Sequence, residues 1–403
     1  MSEHDEVLIV GAGPAGSATA THLARAGHQV TLLDRARFPR EKPCSEYLSP
    51  ETVRHLAGLG VLDTLEAYGG TPLEGTRVQA ALGASLTGRF ADAGGTPYRS
   101  TGLAMPRRVL DATLLQAARD AGVTVHESAR VREISGMTPG GRHVHYLTAD
   151  GTMVSRTARS VVGADGLRSV VARQSGLHRR GWLTRTAFVA HVEGVRGLGR
   201  MAEMHVGARG YVGLNPLGHN IANVALVVPT ADAAAARSDA PAWFHARLES
   251  FPGVRGRVDA ARTVREVLVT GPFSASCRRS TADGLLLVGD AADFFDPFTG
   301  EGVCTALAGA HFAAEAIGEA LTLPGPLHAS RLESYRRARR RAFLGKWIVE
   351  RLIGYSMLSP RLFDRAVARL DRRGMADTLI GVTGDFVSPW RVVNPWFLGR
   401  MVV

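Results

Sequence analysis

Val7-Leu8-Ile9-Val10-Gly11-Ala12-Gly13-Pro14-Ala15-Gly16 is the stretch whose reading decides the fold. Four apolar residues make a short buried strand, and three glycines spaced G-x-G-x-x-G follow without a gap. Residues 17–27, rich in Ala and Thr, read as a helix; Gln29-Val30-Thr31-Leu32-Leu33 reads as a second strand ending on Asp34. The result is one βαβ unit. Gly11 permits the tight turn, Gly13 lets backbone approach a pyrophosphate, and Gly16 lets helix and strand pack closely. The pyrophosphate would sit at the helix start, beside Pro14 and Ala15, where unpaired N–H groups and the dipole favour an anion. Asp34 stands 18 residues past Gly16, near the roughly 20 expected of an acid that grips ribose hydroxyls, with Arg35 next to it. The plain alternative is a glycine turn in an ordinary α/β protein.

Composition narrows the class. At 403 residues the chain is long for one core, so two interlocked domains are expected. With 45% apolar and 21% charged residues it is globular rather than disordered. No stretch approaches the roughly 18 unbroken apolar residues of a membrane span. The acidic start Met1-Ser2-Glu3-His4-Asp5-Glu6 is wrong for a secretory signal, so a cytoplasmic location is expected. Cys44, Cys277 and Cys304 are too few and scattered for a disulfide framework or zinc site, and no metal is expected. The net charge of +11 comes almost wholly from arginine, since Lys42 and Lys346 are the only lysines. Arginine with abundant Ala and Gly fits a GC-rich genome. The cluster Arg336-Arg337-Ala338-Arg339-Arg340-Arg341 has no aromatic platform or groove-reading motif beside it, so no nucleic-acid partner is expected.

Outward from the first unit, residues 35–50 read as a loop rich in proline and charge, and Ser49-Pro50 as the capped start of a helix. Residues 71–100 are glycine-rich with short β-like pieces. Residues 105–111 precede an amphipathic helix ending near Gly122, and an antiparallel set spans 129–156. A second buried strand runs into Gly163-Ala164-Asp165-Gly166. Residues 186–275 alternate like an antiparallel sheet, interrupted by a helix around 231–250. The α/β pattern returns at Leu285-Leu286-Leu287-Val288-Gly289-Asp290, followed by a small-residue helix over 303–321 and a mostly helical end containing Pro389 and Pro395.

GAGPAG at 11–16, GADG at 163–166, and GDAA at 289–292 followed by PFTGEG at 297–302 occur in one order. This set resembles the p-hydroxybenzoate hydroxylase fold of FAD-dependent oxidoreductases along nearly the whole chain. The resemblance implies an α/β protein: a Rossmann-like FAD-binding domain of the p-hydroxybenzoate hydroxylase/glutathione reductase type, an inserted antiparallel β-sheet substrate domain, and a helical C-terminus. The FAD-binding domain is expected over 1–75, 101–185 and 276–330, the substrate sheet over 76–100 and 186–275, and the helical region over 331–403. By the same resemblance Asp165 touches FAD and the nicotinamide donor, Asp290 takes the ribityl chain or ribose, and Arg107 packs along the cofactor. Backbone N–H groups of Gly300 and Gly302, at a helix start, would favour negative charge on the reduced ring. Gly289, Pro297 and Cys44 complete the cofactor-binding set. Singly, Asp165 reads as a turn residue and Asp290 as a cap.

Cys44-Ser45-Glu46-Tyr47-Leu48-Ser49-Pro50 and PFTGEG look most like the geranylgeranyl reductase-related branch, which holds both reductases and monooxygenases. Its reductases carry YxWxFP; Tyr211-Val212-Gly213-Leu214-Asn215-Pro216 keeps the tyrosine and proline, while Gly213 and Asn215 replace both rings. A long isoprenoid needs apolar walls, so the first expectation is a flavoprotein monooxygenase. It would use NAD(P)H and O₂ through a flavin C4a-hydroperoxide to hydroxylate or epoxidise an aromatic or polyketide-like secondary metabolite. The alternatives are a flavin-dependent reductase of C=C bonds and a non-catalytic flavin-bound protein. Halogenation is not expected: no WxWxIP stretch exists and Lys42 lies in the wrong loop. No second G-x-G-x-x-G is visible, so the nicotinamide donor would bind transiently. Tyr47, His191, His205, Tyr211 and Pro297 are candidates for the substrate pocket, with no catalytic base assigned. Cys44 and Cys304 read as two buried thiols or, less simply, as a redox pair. Residues 343–353 are amphipathic beside the arginine cluster, which suits a helix packed on the domain better than membrane contact.

Overall fold

The computed structural model describes residues 3–394; the remainder of the 331–403 region, including Pro395, lies outside the described residues. Glu3–Val10 is the central strand of an eight-stranded sheet. It runs parallel to Val30–Leu33 on one side and Met153–Gly163 on the other; Thr124–His126 and Leu285–Leu287 extend the parallel set outward. Strands covered by helices read as continuous apolar runs, as Val7-Leu8-Ile9-Val10 does, and these four residues are buried. The first half of Met153–Gly163 pairs antiparallel with Arg142–Leu147, which pairs with Arg130–Ile134.

The helices Pro14–Arg25, Arg107–Asp120 and Gly302–Leu321 cover one face of this sheet and share its largest apolar core. The inward faces of Pro14–Arg25 and Gly302–Leu321 are rich in alanine and other small residues, so these two backbones approach closely, while Arg107–Asp120 packs Leu110, Leu114 and Leu115. The carboxyl ends of the parallel strands run into Gly11, Asp34, Ala164-Asp165 and Val288-Gly289. In an open α/β sheet that edge is where ligands bind.

The second sheet has seven strands in the order Thr263–Thr270, Arg185–Glu193, Ile221–Pro229, Gly210–Gly218, Met201–Gly207, Gly75–Gln79, Ser85–Arg89. It is not wholly antiparallel, because Gly75–Gln79 arrives from the first domain and docks parallel to Met201–Gly207. The expected helix over 231–250 is split into a 3₁₀ turn, Asp232–Ala236, and a helix, Ala240–Leu248, which Asp239 caps through Ala242 N at 2.9 Å. Phe244 and Leu248 of that helix pack under one face of the sheet with Phe188, Val212 and Leu226. The opposite face meets the first domain and the helices Glu333–Ser356, Pro360–Arg372 and Ala376–Thr383. Residues 343–353 lie within Glu333–Ser356, which buries Phe343, Lys346 and Val349 and leaves Leu352 exposed. No helix among the described residues is long and apolar enough to cross a membrane.

Candidate functional site

Two clefts meet at Gly13, Lys42, Ala164 and Gly166. The first is walled by Gly11, Asp34, Arg35 and Asp165. The second runs from Gly13, Pro14 and Ala15 past Cys44, Arg107, Gly289 and Asp290, then along Pro297, Gly300 and Gly302 to the seven-stranded sheet. Gly16 lines neither cleft; its missing side chain is a packing requirement, since a Cβ there would lie 1.8 Å from the Gly11 carbonyl oxygen. Gly11 itself has φ +103°, and a Cβ would lie 2.5 Å from Ala164 O.

The chemistry of the paired clefts suits a long cofactor with a phosphate middle and a redox ring. Pro14–Arg25 starts at Gly13 with no capping side chain, and Gly302–Leu321 starts at Glu301 with none either. Two helix starts with uncapped N–H donors therefore open on one channel. Asp165 Oδ2 accepts from Val170 N at 2.6 Å, while its buried Oδ1 has no partner; burial raises its pKa, partly offset by Ser169 and Val170. Asp34 accepts from Ala12 N at 2.7 Å and Ala36 N at 2.8 Å, so its carboxylate holds the glycine loop in shape and retains lone pairs for a sugar hydroxyl. Arg107 is buried in a bidentate pair with Asp111, both bonds 2.8 Å, and Arg40 joins the same carboxylate at 3.0 Å. Lys42 lies between the clefts, its pKa lowered by burial and by Arg107.

The sheet side of the second cleft is built in rows. Residues i, i+2 and i+4 of a strand share a face, so Tyr211, Gly213 and Asn215 look the same way, and their register partners are Val227, Ala225 and Asn223. The Tyr211 row is held by Asp296: Tyr211 Oη donates to Asp296 Oδ1 at 2.7 Å, and Arg185 Nη1 reaches Asp296 Oδ2 at 2.6 Å. Burial, then Asp296, push the Tyr211 phenol well above its usual range, so it keeps its proton. The middle row, with Ala225 and Val189, is small and apolar.

The third row is polar right across four strands: Asn215, Asn223, His191 and Arg265. It clasps the loop before Tyr47. Asn223 Nδ2 donates to Cys44 O at 2.9 Å and Asn215 Nδ2 to Ser45 O at 3.1 Å. His191 Nε2 lies 2.6 Å from Glu46 Oε2, and Arg265 Nη1 lies 3.2 Å from Glu41. His191 thus faces the sheet's cavity side but is covered by Glu46 and is not among the lining residues. His205 is not among them either, because it alternates onto the other face with Glu203. There it bonds Gln79 at 3.0 Å and Glu203 at 2.8 Å. Although burial opposes it, hydrogen bonding from His205 and Arg257 holds Glu203 down at about 2. Tyr47, Tyr211 and Pro297 do line the cavity.

Behind PFTGEG is a buried charged cluster that the sequence did not reveal. Glu301 Oε2 accepts from Ser49 Oγ at 3.1 Å and lies 3.9 Å from Lys346 Nζ, which is hydrogen-bonded to Asp385. Burial raises the Glu301 pKa and Lys346 lowers it, with the raised direction prevailing. Glu350, one turn beyond Lys346 and also at the cavity wall, is pushed up to about 7, first by burial and against the pull of Lys346. Cys304 packs beside Glu301 and Asp385, whereas Cys44 Sγ accepts from Glu46 N at 3.4 Å; all three cysteines are free. The PFTGEG glutamate and the i, i+4 spacing of Lys346 and Glu350 were the available signals, but only the fold brings them together.

Comparison with known proteins agrees with this geometry. The profile described as FAD binding domain matches residues 4–346. A menaquinone reductase of Mycobacterium tuberculosis is 30% identical over 334 residues, covering 78% of this chain and 77% of that protein. A digeranylgeranylglycerophospholipid reductase of Methanopyrus kandleri is 32% identical over 326 residues, covering 78% of this chain and 77% of that one. A solved flavoprotein/dehydrogenase from Cytophaga hutchinsonii superposes with a TM-score of 0.82 at 19% identity, over 99% of this chain and 96% of that chain. The chain belongs to the FAD binding domain family of flavoproteins, with the p-hydroxybenzoate hydroxylase-type fold.

Proposed function

We propose that this FAD-dependent oxidoreductase is a monooxygenase that takes electrons from NAD(P)H, uses O₂, and acts on an aromatic or polyketide-like metabolite. The carrying observation is the sheet wall of the cavity: Gly213 carries no side chain between Met204 and Ala225, where a large ring would collide with Met204 Sδ, and Asn215 and Asn223 make the far end of the wall polar. A flat molecule with polar substituents suits this wall better than a long aliphatic chain.

FAD would be held by Gly11, Gly13, Asp34 and Asp165 at its nucleotide end and by Arg107, Asp290, Gly300 and Gly302 toward the ring. When bound it supplies electron transfer to O₂ and oxygen delivery. The chain does the rest. Gly302, at the start of its helix, presents a backbone donor to developing negative charge, whereas the Gly300 N–H, expected to do the same, is taken by Pro297 O at 3.0 Å. Phe294, Phe298 and Met204 exclude water from the wall. Tyr211 stays protonated on Asp296 and orients rather than abstracts. Glu350 is the cavity group that holds or releases a proton near neutrality.

A second reading, reduction of a C=C bond, draws on the reductase names of the two relatives. One experiment separates them: purify the protein, record its visible spectrum, and follow NAD(P)H oxidation with and without O₂ against phenolic and isoprenoid panels. Stoichiometric O₂ consumption with a phenolic product supports the monooxygenase. Faster turnover of an isoprenoid without O₂ overturns it. A protein that stays colourless after reconstitution with FAD refutes both.

A further inference from the structure

The chain contains four asparagines, and two of them, Asn215 and Asn223, stand side by side on the cavity wall. They are 4% and 1% exposed, and the Oδ1 of each has no hydrogen-bond partner. This is not a matter of which way the amides are turned. Each Nδ2 faces a backbone carbonyl, Ser45 O at 3.1 Å and Cys44 O at 2.9 Å, and a carbonyl can only accept. Turning either amide would set oxygen against oxygen. The chain's own loop therefore fixes two acceptor oxygens without satisfying them.

Buried polar groups without partners are rare, and each one calls for a cause. Two on cross-strand neighbours, lining one cavity, share one cause. Resting on the proposed monooxygenase reading, we infer that the Asn215 and Asn223 carboxamide oxygens are a specificity site. They accept from two hydrogen-bond donors on adjacent or nearly adjacent atoms of the substrate, a vicinal diol of the catechol kind. Cross-strand partners have Cα atoms roughly 4.5–5.5 Å apart, close enough for both carboxamides to serve donors on one edge of one ring. Both oxygens are already buried and unpaired in the free protein, so the site selects by what a diol gains: its hydroxyls satisfy them, whereas a substrate carrying ethers or hydrogens at those positions does not. The neighbouring apolar row of Gly213, Ala225 and Val189 takes the ring face. The polar row has a second task, clasping the loop at Cys44 and Ser45, so the test must separate the two.

The test uses the FAD-loaded protein, its Asn215→Ala and Asn223→Ala variants, and two probes, 2,3-dihydroxynaphthalene and 2,3-dimethoxynaphthalene, in equilibrium dialysis. Loosening of the loop affects both probes alike, whereas loss of an acceptor affects only the diol. The wild type is expected to prefer the diol by about tenfold or more per engaged oxygen, and each variant to lose about one such factor. Equal binding of the two probes by the wild type overturns the inference, as does a preference that survives both substitutions. The wild-type comparison alone keeps it refutable should a variant fail to fold. The flavin absorption of the same samples reports separately on the proposed function, so a colourless protein and an unselective one are distinct failures.

Discussion

Glu350→Gln is expected to change stability in a pH-dependent way whose sign and size follow from the site. The Glu350 carboxyl is raised from 4.5 to about 7, by burial first, with Lys346 opposing and Asp293 adding to the rise. Below pH 4.5 it is protonated in folded and unfolded chains alike, and glutamine is a fair isostere. Between 4.5 and about 7 only the unfolded chain has released the proton, so wild-type stability falls by about 1.4 kcal/mol per pH unit. Above about 7 the loss is complete. The upper bound is about 3 kcal/mol, which is roughly 3–4 °C in melting temperature at about 2.1 cal/mol/K per residue. Calorimetry of the FAD-loaded protein and the variant from pH 4.5 to 8 is the assay. The variant should match the wild type at the acid end and gain steadily to pH 7. A difference that is flat in pH refutes the assignment of Glu350 as the titrating group, and so does one that favours the wild type more as pH rises.

Gly16→Ala should abolish flavin binding, because its Cβ would lie 1.8 Å from Gly11 O within the loop that must approach the pyrophosphate; visible absorption after reconstitution checks it. Asp111→Asn should cost about 3–5 kcal/mol in urea denaturation, because it strands Arg107 and partly strands Arg40 in a buried site. Glu46→Gly should destabilise by about 1–4 kcal/mol despite the removal of an unfavourable backbone conformation, as a urea midpoint shift with unchanged slope would show.

The first domain was legible because its signals are local. The βαβ unit, the Ser49 cap, whose Oγ accepts from Thr52 N at 3.3 Å, and the long alanine-rich helix each state their structure in adjacent residues. The substrate side was legible only as β-alternation. His191 and His205 stand out in the sequence as side chains with chemistry. Yet strand parity sends His205 to the far face, and a loop about 145 positions earlier covers His191. Conversely, Asn223 sits in an otherwise apolar run, and Asn215 reads in sequence only as a missing aromatic. Their meaning depends on cross-strand register, which no single strand displays. Asp34 and Asp165 are expected at the cofactor, and each also holds backbone amides of its own loop.

Glu46 shows how the two domains are tied, because opposing terms of similar size meet there. It is fully buried with φ +58°, a conformation that costs a side-chain-bearing residue about 1–2 kcal/mol. Glycine would relieve that cost. The carboxylate, however, accepts from Arg107 N at 3.0 Å, lies 2.6 Å from His191 Nε2 and stands 3.5 Å from Arg265 Nη1. Without it, Arg265 keeps only Glu41, and its Nε and Nη2 already lack partners in a buried setting. Removing one member of a buried pair costs about 3–5 kcal/mol, which exceeds the strain relieved. The net loss should fall on the join between the Cys44 loop and the sheet. If Glu46→Gly were instead stabilising, strain would outweigh the clasp. The polar row of Asn215, Asn223, His191 and Arg265 would then not be what positions the loop against the cavity.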